Sequence, residues 1–232
     1  MTLGFFAILT AGAGVVFSDV RELLFALSAT GLFGIVLIVT LRAERQVPRS
    51  VAEAVYATTA ANEAAIARKI AGSQVRLYVP DTERSQVFLY VPPTRDYDIP
   101  PEPTIPWSID DEDTGLILEP TGASLYQQFQ TQLTGDLGDG VTKLALALTD
   151  GLVKEFELAR SANVDVWPEE GRATIAVQNG SFGDVDQFDH PIGSFLAVGF
   201  AAGLDRPVEL NVKPDGGRAD WSITCSWDPD TT

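Results

Sequence analysis

The sequence predicts an α+β protein, in which a transmembrane helical hairpin is followed by a cytoplasmic domain of antiparallel β-hairpins and helices. Three observations support this fold class. Two uncharged runs fill most of the first 41 residues, β-rich runs come in pairs around turns, and apolar residues recur at four-residue steps between those pairs. Strands and helices in this order form antiparallel sheets with helices packed on one face.

The second uncharged run, residues 23–41, is the stronger membrane signal. Its nineteen residues, LLFALSATGLFGIVLIVTL, would form a helix of roughly 28 Å, close to the hydrocarbon thickness of a bilayer. The first run, residues 1–18, has no basic residue, whereas a secretory signal peptide begins with positive charge. We therefore predict an antiparallel hairpin within residues 1–45, which spans the membrane at about 3–18 and 23–41 and has the lipid bilayer as partner of residues 3–41.

The charges beside this hairpin predict its orientation. Arg42, Arg45 and Arg49 follow the second run, whereas the loop between the two runs carries one Arg and two acids. Positively charged flanks stay in the cytoplasm. We therefore expect a multi-pass protein of the cell membrane, with both termini cytoplasmic and an acidic cytoplasmic domain at residues 46–232.

The charge of the domain excludes one class of partner and indicates a habitat. Residues 50–232 hold 12 basic and 29 acidic side chains, a formal charge of −17. Nucleic acid is excluded as a partner, because its binding depends on clustered Lys and Arg. Such a surface repels itself unless concentrated salt screens it, so a halophilic source is the first explanation and an ordinary acidic domain is the second. A single cysteine excludes an internal disulfide.

The first half of the domain begins with a predicted helix. Ser50 and Glu53 form a capping box at its start. Up to residue 71 it places weakly apolar side chains near one face: Val51, Val55, Thr59, Asn62, Ile66 and Ile70. That face either packs on the domain or pairs with a second copy, so a homodimer remains open. Runs 75–79 and 87–91 predict a hairpin, and seven prolines predict an extended, acidic connection over 92–120. A short strand at 115–118 and a helix at 124–134 complete this half.

The second half begins with a longer helix, predicted over 141–162 from apolar residues at four-residue steps: Leu144, Leu148, Leu152 and Phe156. Runs 164–167 and 174–177 form a second hairpin. Pro191 opens a helix over 191–204, whose Gly and Ala content suggests close packing against a sheet, and runs 208–212 and 221–227 form the last hairpin. Both halves contain the same order of elements: a helix, a strand, a Pro-acid turn, a second strand and a helix that starts with Pro-x-Gly. This order indicates an internal duplication, and two unrelated units with similar turns are the alternative.

Residues able to carry catalysis are few. His190 is the only histidine and is expected to cap the helix that follows it. Ser194 lies one helical turn later but lacks the G-x-S-x-G pattern of a nucleophile elbow. No Gly-rich phosphate-binding pattern follows a strand. We therefore predict no catalytic residue and no cofactor, and we expect that the protein is not an enzyme.

Metal ligands are equally scarce. Cys225 alternates with Trp221 and Trp227 as on the buried face of a strand, and one Cys with one His is too few for zinc. The acidic residues at 110–113, 136 and 139 lack the spacing and the closing Glu of a calcium loop. We predict no metal site.

Residues 188–199, FDHPIGSFLAVG, the closing strand ITCSW at 223–227 and the membrane hairpin together resemble a family of uncharacterised haloarchaeal membrane-anchored proteins. Those proteins have two amino-terminal helices and one cytoplasmic domain, so the resemblance implies habitat and topology but no activity. The order of a strand, the FLAVGFAAGL helix, a hairpin and a terminal Cys strand also looks like the carboxy-terminal half of 4-vinyl-reductase-type small-molecule-binding domains. Those domains usually carry further cysteines near this end, where this chain has only Cys225.

The sequence therefore favours a membrane-anchored cytoplasmic scaffold or interaction domain, with a protein partner that it does not identify. The alternative is a small-molecule-binding sensor with a pocket by helix 191–204. The side chains expected to line that pocket are Phe195, Phe200, Trp221, Cys225 and Trp227. A packed core at these residues would favour the scaffold.

Overall fold

The computed structural model describes residues 9–10, 12–13, 15, 17–40, 48–71, 74–81, 84–95, 97, 99, 115–132, 140–217 and 219–230. These residues belong to two compact units, Met1–Pro48 and Arg49–Thr232. The fold class is α+β, as predicted, and the second unit contains an antiparallel sheet. The predicted span at 3–18 lies partly outside the described residues.

In the first unit, a 3-10 turn at Ser18–Val20 leads into helix α1, Arg21–Thr40. Large apolar side chains along α1 are exposed, among them Leu23, Leu32 and Phe33. Within the part of the chain that the structure describes, no helix combines the length and the apolar character required to cross a membrane.

The second unit contains four helices and seven strands among its described residues. In chain order they are α2 (Arg49–Ile70), β1 (Leu77–Asp81), β2 (Gln86–Val91), β3 (Leu116–Leu118), α3 (Gly122–Gln132), α4 (Val141–Asp150), β4 (Ser161–Trp167), β5 (Arg172–Gln178), α5 (Pro191–Leu204), β6 (Val208–Pro214) and β7 (Trp221–Ser226). The three predicted hairpins, β1–β2, β4–β5 and β6–β7, are confirmed.

The seven strands form one antiparallel sheet in the order β3-β2-β1-β6-β7-β5-β4. Strand β6 joins the two halves of the chain, because it pairs with β7 on one side and with β1 on the other, where Val208 faces Tyr78. The hairpins that the duplication would equate, β1–β2 and β4–β5, therefore lie on opposite sides of β6–β7. The duplication itself stays a prediction.

Helix α5 forms the centre of the core. Its residues are apolar or small at nearly every position, a composition expected of a helix buried on all sides, and every residue from Pro191 to Ala201 is buried. It packs on strands β1, β2, β6 and β7 and on helices α3 and α4. The helices thus cover one face of an antiparallel sheet, as the sequence predicts.

The two halves of the sheet differ on the face away from α5. On β1–β3 this face is apolar and buried, and Val75, Tyr97 and Ile99 pack against it. Part of the Pro-rich connection therefore covers the sheet. On β5 and β7 the same face carries polar side chains such as Thr174 and Thr224, whose hydroxyl oxygens lie 3.3 Å apart.

The helix predicted over 141–162 is too long at its carboxy-terminal end. Helix α4 ends at Asp150, and a single π-helical turn follows before strand β4 begins. The chain leaves the helix because Glu157 adopts a left-handed φ of 50°. The backbone N of Arg160 then donates to the carbonyl of Gln178 at 3.1 Å, which starts the ladder between β4 and β5.

Two glycines let α5 approach α4 closely. A Cβ at Gly199 would lie 2.4 Å from a methyl carbon of Leu148, and one at Gly203 would lie 2.6 Å from a methyl carbon of Leu144. Both leucines are buried, so neither has room to move aside. These two glycines therefore serve contact between helices, whereas the sequence suggested packing on the sheet.

The substitution Gly199→Val should lower the free energy of unfolding by about 2 kcal/mol, because the added side chain overpacks against Leu148. The double variant with Leu148→Ala should be more stable than the sum of the two single losses, since alanine makes room for valine. Chemical denaturation measures both effects. The control is Gly216→Val, because nothing lies within 4 Å of a Cβ at that position. Strictly additive losses would contradict the close contact.

Candidate functional site

A cavity of about 410 Å³ opens beside the carboxy-terminal end of α5. Hairpin β1–β2 supplies one wall through residues 80–81 and 85–87, and α3 supplies a second wall. Val198, Ala202 and Asp205, on α5 and at its end, supply the third. The volume falls in the range of small-molecule sites. We refer to this space as the α5 cavity.

The walls of the α5 cavity combine carboxylates, amides and apolar side chains. Asp81 is held in place, because its two carboxylate oxygens accept from the backbone N and from Nη1 of Arg84, at 3.1 and 3.3 Å. Gln127 and Gln130 present amides from α3, and Tyr126 is buried beside them. Desolvation raises the pKa of Tyr126, and a hydrogen bond with Gln130 opposes that rise. This lining can bind a small polar molecule through several hydrogen bonds at once.

The five residues that the sequence predicted for a pocket lie in the packed core. Phe195, Phe200 and Cys225 are fully buried, Trp227 is 9% exposed, and Trp221 is partly buried. Phe200 stacks on Trp227 with ring centroids 5.7 Å apart. None of the five lines either of the two cavities described here. At these positions the structure has packed side chains.

A second, smaller cavity of about 200 Å³ is formed by residues of α2, β2 and the segments before β1 and α5. Arg68, Arg76 and Asp186 bring charges of both signs to its lining. Nη1 of Arg76 donates to the carbonyl of Gln187 at 3.4 Å, so this guanidinium already ties the start of β1 to the segment before α5. The mixed charge favours no particular class of ligand.

A buried polar cluster surrounds Asp189, just before α5. Asp189 is 2% exposed, and its carboxylate accepts from the hydroxyl of Tyr78 at 2.7 Å and from the backbone N of Thr121 at 2.5 Å. Ser194 also hydrogen-bonds Asp189, and its Oγ accepts from the backbone N of Gly122 at 2.8 Å. Desolvation raises the pKa of Asp189, and these donors oppose the rise because they stabilise the carboxylate. The cluster joins β1, α3 and α5.

His190 caps α5, as predicted, because its Nδ1 accepts from the backbone N of Ile192 at 3.2 Å. Its ring is buried edge-on against Tyr56, with centroids 5.4 Å apart. The hydroxyl of Ser194 is engaged by Gly122 and Asp189. The arrangement is therefore that of a structural cap.

The imidazole of His190 is held neutral. Desolvation lowers its pKa to about 4, the positive charge of Arg76 adds to the fall, and the backbone at Ser181 and Phe182 opposes it. Although that backbone lies near the ring, Nε2 is buried and forms no hydrogen bond of acceptable geometry.

Neither the thiol nor the acidic groups form a metal centre in the part of the chain that the structure describes. Burial raises the pKa of Cys225 well above its usual range, so the thiol stays protonated. Within the described ranges, no group of three or more His, Cys, Asp or Glu side chains is positioned to hold a metal ion. The acidic positions 110–113, 136 and 139 lie outside those ranges.

One protein family matches nearly the whole chain. Its description is Domain of unknown function (DUF7982), and the match covers residues 1–227. The chain belongs to this family. No curated protein and no solved structure matches it. The DUF7982 match includes residues of both compact units and extends to the end of β7.

In this DUF7982 protein, His190 should make stability depend on pH. The folded pKa is about 4 and the ordinary value is 6.5, so the unfolded state binds more protons between those values. The free energy of unfolding should therefore fall by up to roughly 3 kcal/mol as the pH drops through this range. Asp189, whose pKa is raised, contributes in the opposite sense at the acidic end.

The substitution His190→Asn isolates this contribution, because asparagine retains a capping side chain but does not titrate. Urea denaturation between about pH 4 and 6.5 should show a weaker pH dependence in the variant than in the native chain. The Asp189 contribution is present in both proteins and cancels in the comparison. An equal pH dependence of the two would contradict a buried, neutral imidazole.

Proposed function

We propose that this chain is a membrane-tethered, non-catalytic interaction protein of a halophile. Residues 3–18 and 23–41 anchor it in the cell membrane with both termini in the cytoplasm, and the acidic domain binds a protein partner there. The observation that carries the proposal is the exposed apolar surface of α1.

The support for the anchor comes from one helix. Leu23, Leu32 and Phe33 of α1 are 64, 62 and 65% exposed, and the run 23–41 contains no charged residue. Leaving such a side chain in water forgoes roughly 1.5–3 kcal/mol compared with burying it. Lipid around α1 would remove that cost for all of them together.

The support for a non-catalytic role comes from the groups best suited to chemistry. Asp189, Ser194 and His190 are each buried and engaged in contacts that hold α5, β1 and α3 together. A general base must reach the proton that it removes from a substrate. In this geometry these three groups have a structural use and face no open cavity described for the chain.

The substitution Phe33→Asp should reduce the share of protein retained in membranes after an alkaline wash, because a carboxylate near the centre of a span costs about 3 kcal/mol. Phe33→Leu is the matched control and should be retained like the native chain. Release of intact native protein into the soluble fraction would contradict the anchor. A reporter fused after Thr232 tests the orientation, and activity of an exported fusion would overturn it.

A second candidate function, a small-molecule sensor, is supported by the α5 cavity. The sequence suggested a pocket by helix 191–204, and the cavity lies beside that helix although other residues line it. A ligand there would contact Val198 and Ala202 of the buried helix and the polar side of α3. A bound ligand would thus contact a helix of the core directly.

The substitution Ala202→Leu should abolish such binding, because three more carbon atoms project into the cavity. Thermal unfolding of the native chain with a set of small polar molecules identifies binders, since a ligand at 100 times its Kd stabilises by about 2.7 kcal/mol. Each binder is then tested on Ala202→Leu and on Ala54→Leu, whose side chain lies on the exposed face of α2. A ligand that still stabilises Ala202→Leu binds elsewhere.

A further inference from the structure

We propose that the α5 cavity takes a small organic cation, such as a protonated amine with a short hydrocarbon body. This inference rests on the proposed small-molecule function and names the ligand class. It is carried by the cavity, which opens to solvent, by the charge of its lining and by the end of α5.

The charge of the lining is one-sided. Asp81, Glu119 and Asp205 line the α5 cavity, and none of the described residues that line it is Lys, Arg or His. Arg84 pairs with Asp81 from outside the lining, and the Arg84 side chain is 62% exposed whereas that of Asp81 is 14% exposed. Because Arg84 offsets the charge of Asp81, the negative charge of the lining comes mainly from Glu119 and Asp205. The cavity therefore keeps a negative potential that attracts cations and repels anions.

The end of α5 adds to this potential. The helix ends at Leu204, and its cap residue Asp205 has a left-handed φ of 53°. The last carbonyls of a helix together carry about half a negative charge. Ala202 and Asp205 both line the cavity, so this end of the helix lies at its wall. A cation there is stabilised by the carboxylate and by the helix together.

The remaining lining selects an organic cation over a bare metal ion. The volume of about 410 Å³ corresponds to about fourteen water molecules at about 30 Å³ each. Val87, Val198 and Ala123 offer apolar contact for a hydrocarbon body, and the Gln127 and Gln130 amides can accept from N–H groups. Among the described residues, the carboxylates do not converge as metal ligands do.

Three probes of similar length and different charge test the ligand class: putrescine, 1,4-butanediol and succinate. Ligand-observed NMR on the full chain in detergent measures their binding, at the lowest ionic strength at which the chain stays folded. Putrescine should bind at least about tenfold more tightly than butanediol, and succinate should not bind. Equal binding of putrescine and butanediol to the cavity would overturn the cation class.

Two variants with the same change in charge locate the effect. Glu119→Gln with Asp205→Asn should weaken putrescine binding about tenfold, and asparagine also tolerates the left-handed φ at position 205. Asp165→Asn with Glu169→Gln, at the β4 edge of the sheet, should leave the Kd unchanged. Equal weakening in both variants would show general attraction to an acidic surface and would overturn the proposal.

The variant Ala202→Leu separates this proposal from the one on which it rests. If putrescine binding is lost in Ala202→Leu and weakened in Glu119→Gln/Asp205→Asn, both the small-molecule function and the cation class are supported. If butanediol or succinate binds the native chain as well as putrescine does and is lost in Ala202→Leu, the cavity binds small molecules but the cation class is wrong. If putrescine binds Ala202→Leu unchanged, its site is not the α5 cavity.

Discussion

The carboxylate of Asp189 holds together three parts of the domain that are distant in sequence. Its partners Thr121 and Tyr78 lie 68 and 111 residues away, and Ser194 adds a bond from the first turn of α5. A carboxylate buried without partners would cost several kcal/mol, and each hydrogen bond to it contributes about 1.5–3 kcal/mol. The left-handed φ of 46° at Asp189, a conformation that Asp tolerates better than most residues, aims the side chain inward. The carboxylate of Asp189 thus fixes the start of α3 and the contact between α5 and β1.

The buried polar cluster and the α5 cavity lie at opposite ends of α5. At its amino-terminal end, Asp189 accepts hydrogen bonds from Tyr78 and Thr121, and His190 caps the first turn. At its carboxy-terminal end, Asp205 and the side chains of α3 leave a space that opens to solvent and carries negative charge. The same buried helix therefore supports the fold at one end and a candidate binding site at the other.

Local patterns in the sequence predicted those elements that local chemistry determines. Paired β-rich runs around short turns identified all three hairpins, and Pro191 with the apolar run after it identified α5. The helix predicted to reach residue 162 ended early because pairing with β5, a tertiary contact, took over after Glu157. The aromatic residues that the sequence suggested for a pocket occupy the core instead. Phe200 stacked on Trp227 is an example. The sequence analysis did not single out Gln127 and Gln130, because only the folded chain shows hairpin β1–β2 facing that side of α3.

The burial of α5 also determines where the domain resists local opening. Exposing this helix would uncover strands on one side and helices on the other, so its opening approaches global unfolding in free energy. Arg84 and Ser85, which precede β2 across the cavity, are exposed, so fewer buried contacts resist a local opening there. A molecule that enters the cavity would meet the α5 wall already in its final position, so conformational entropy would be lost mainly in the other two walls.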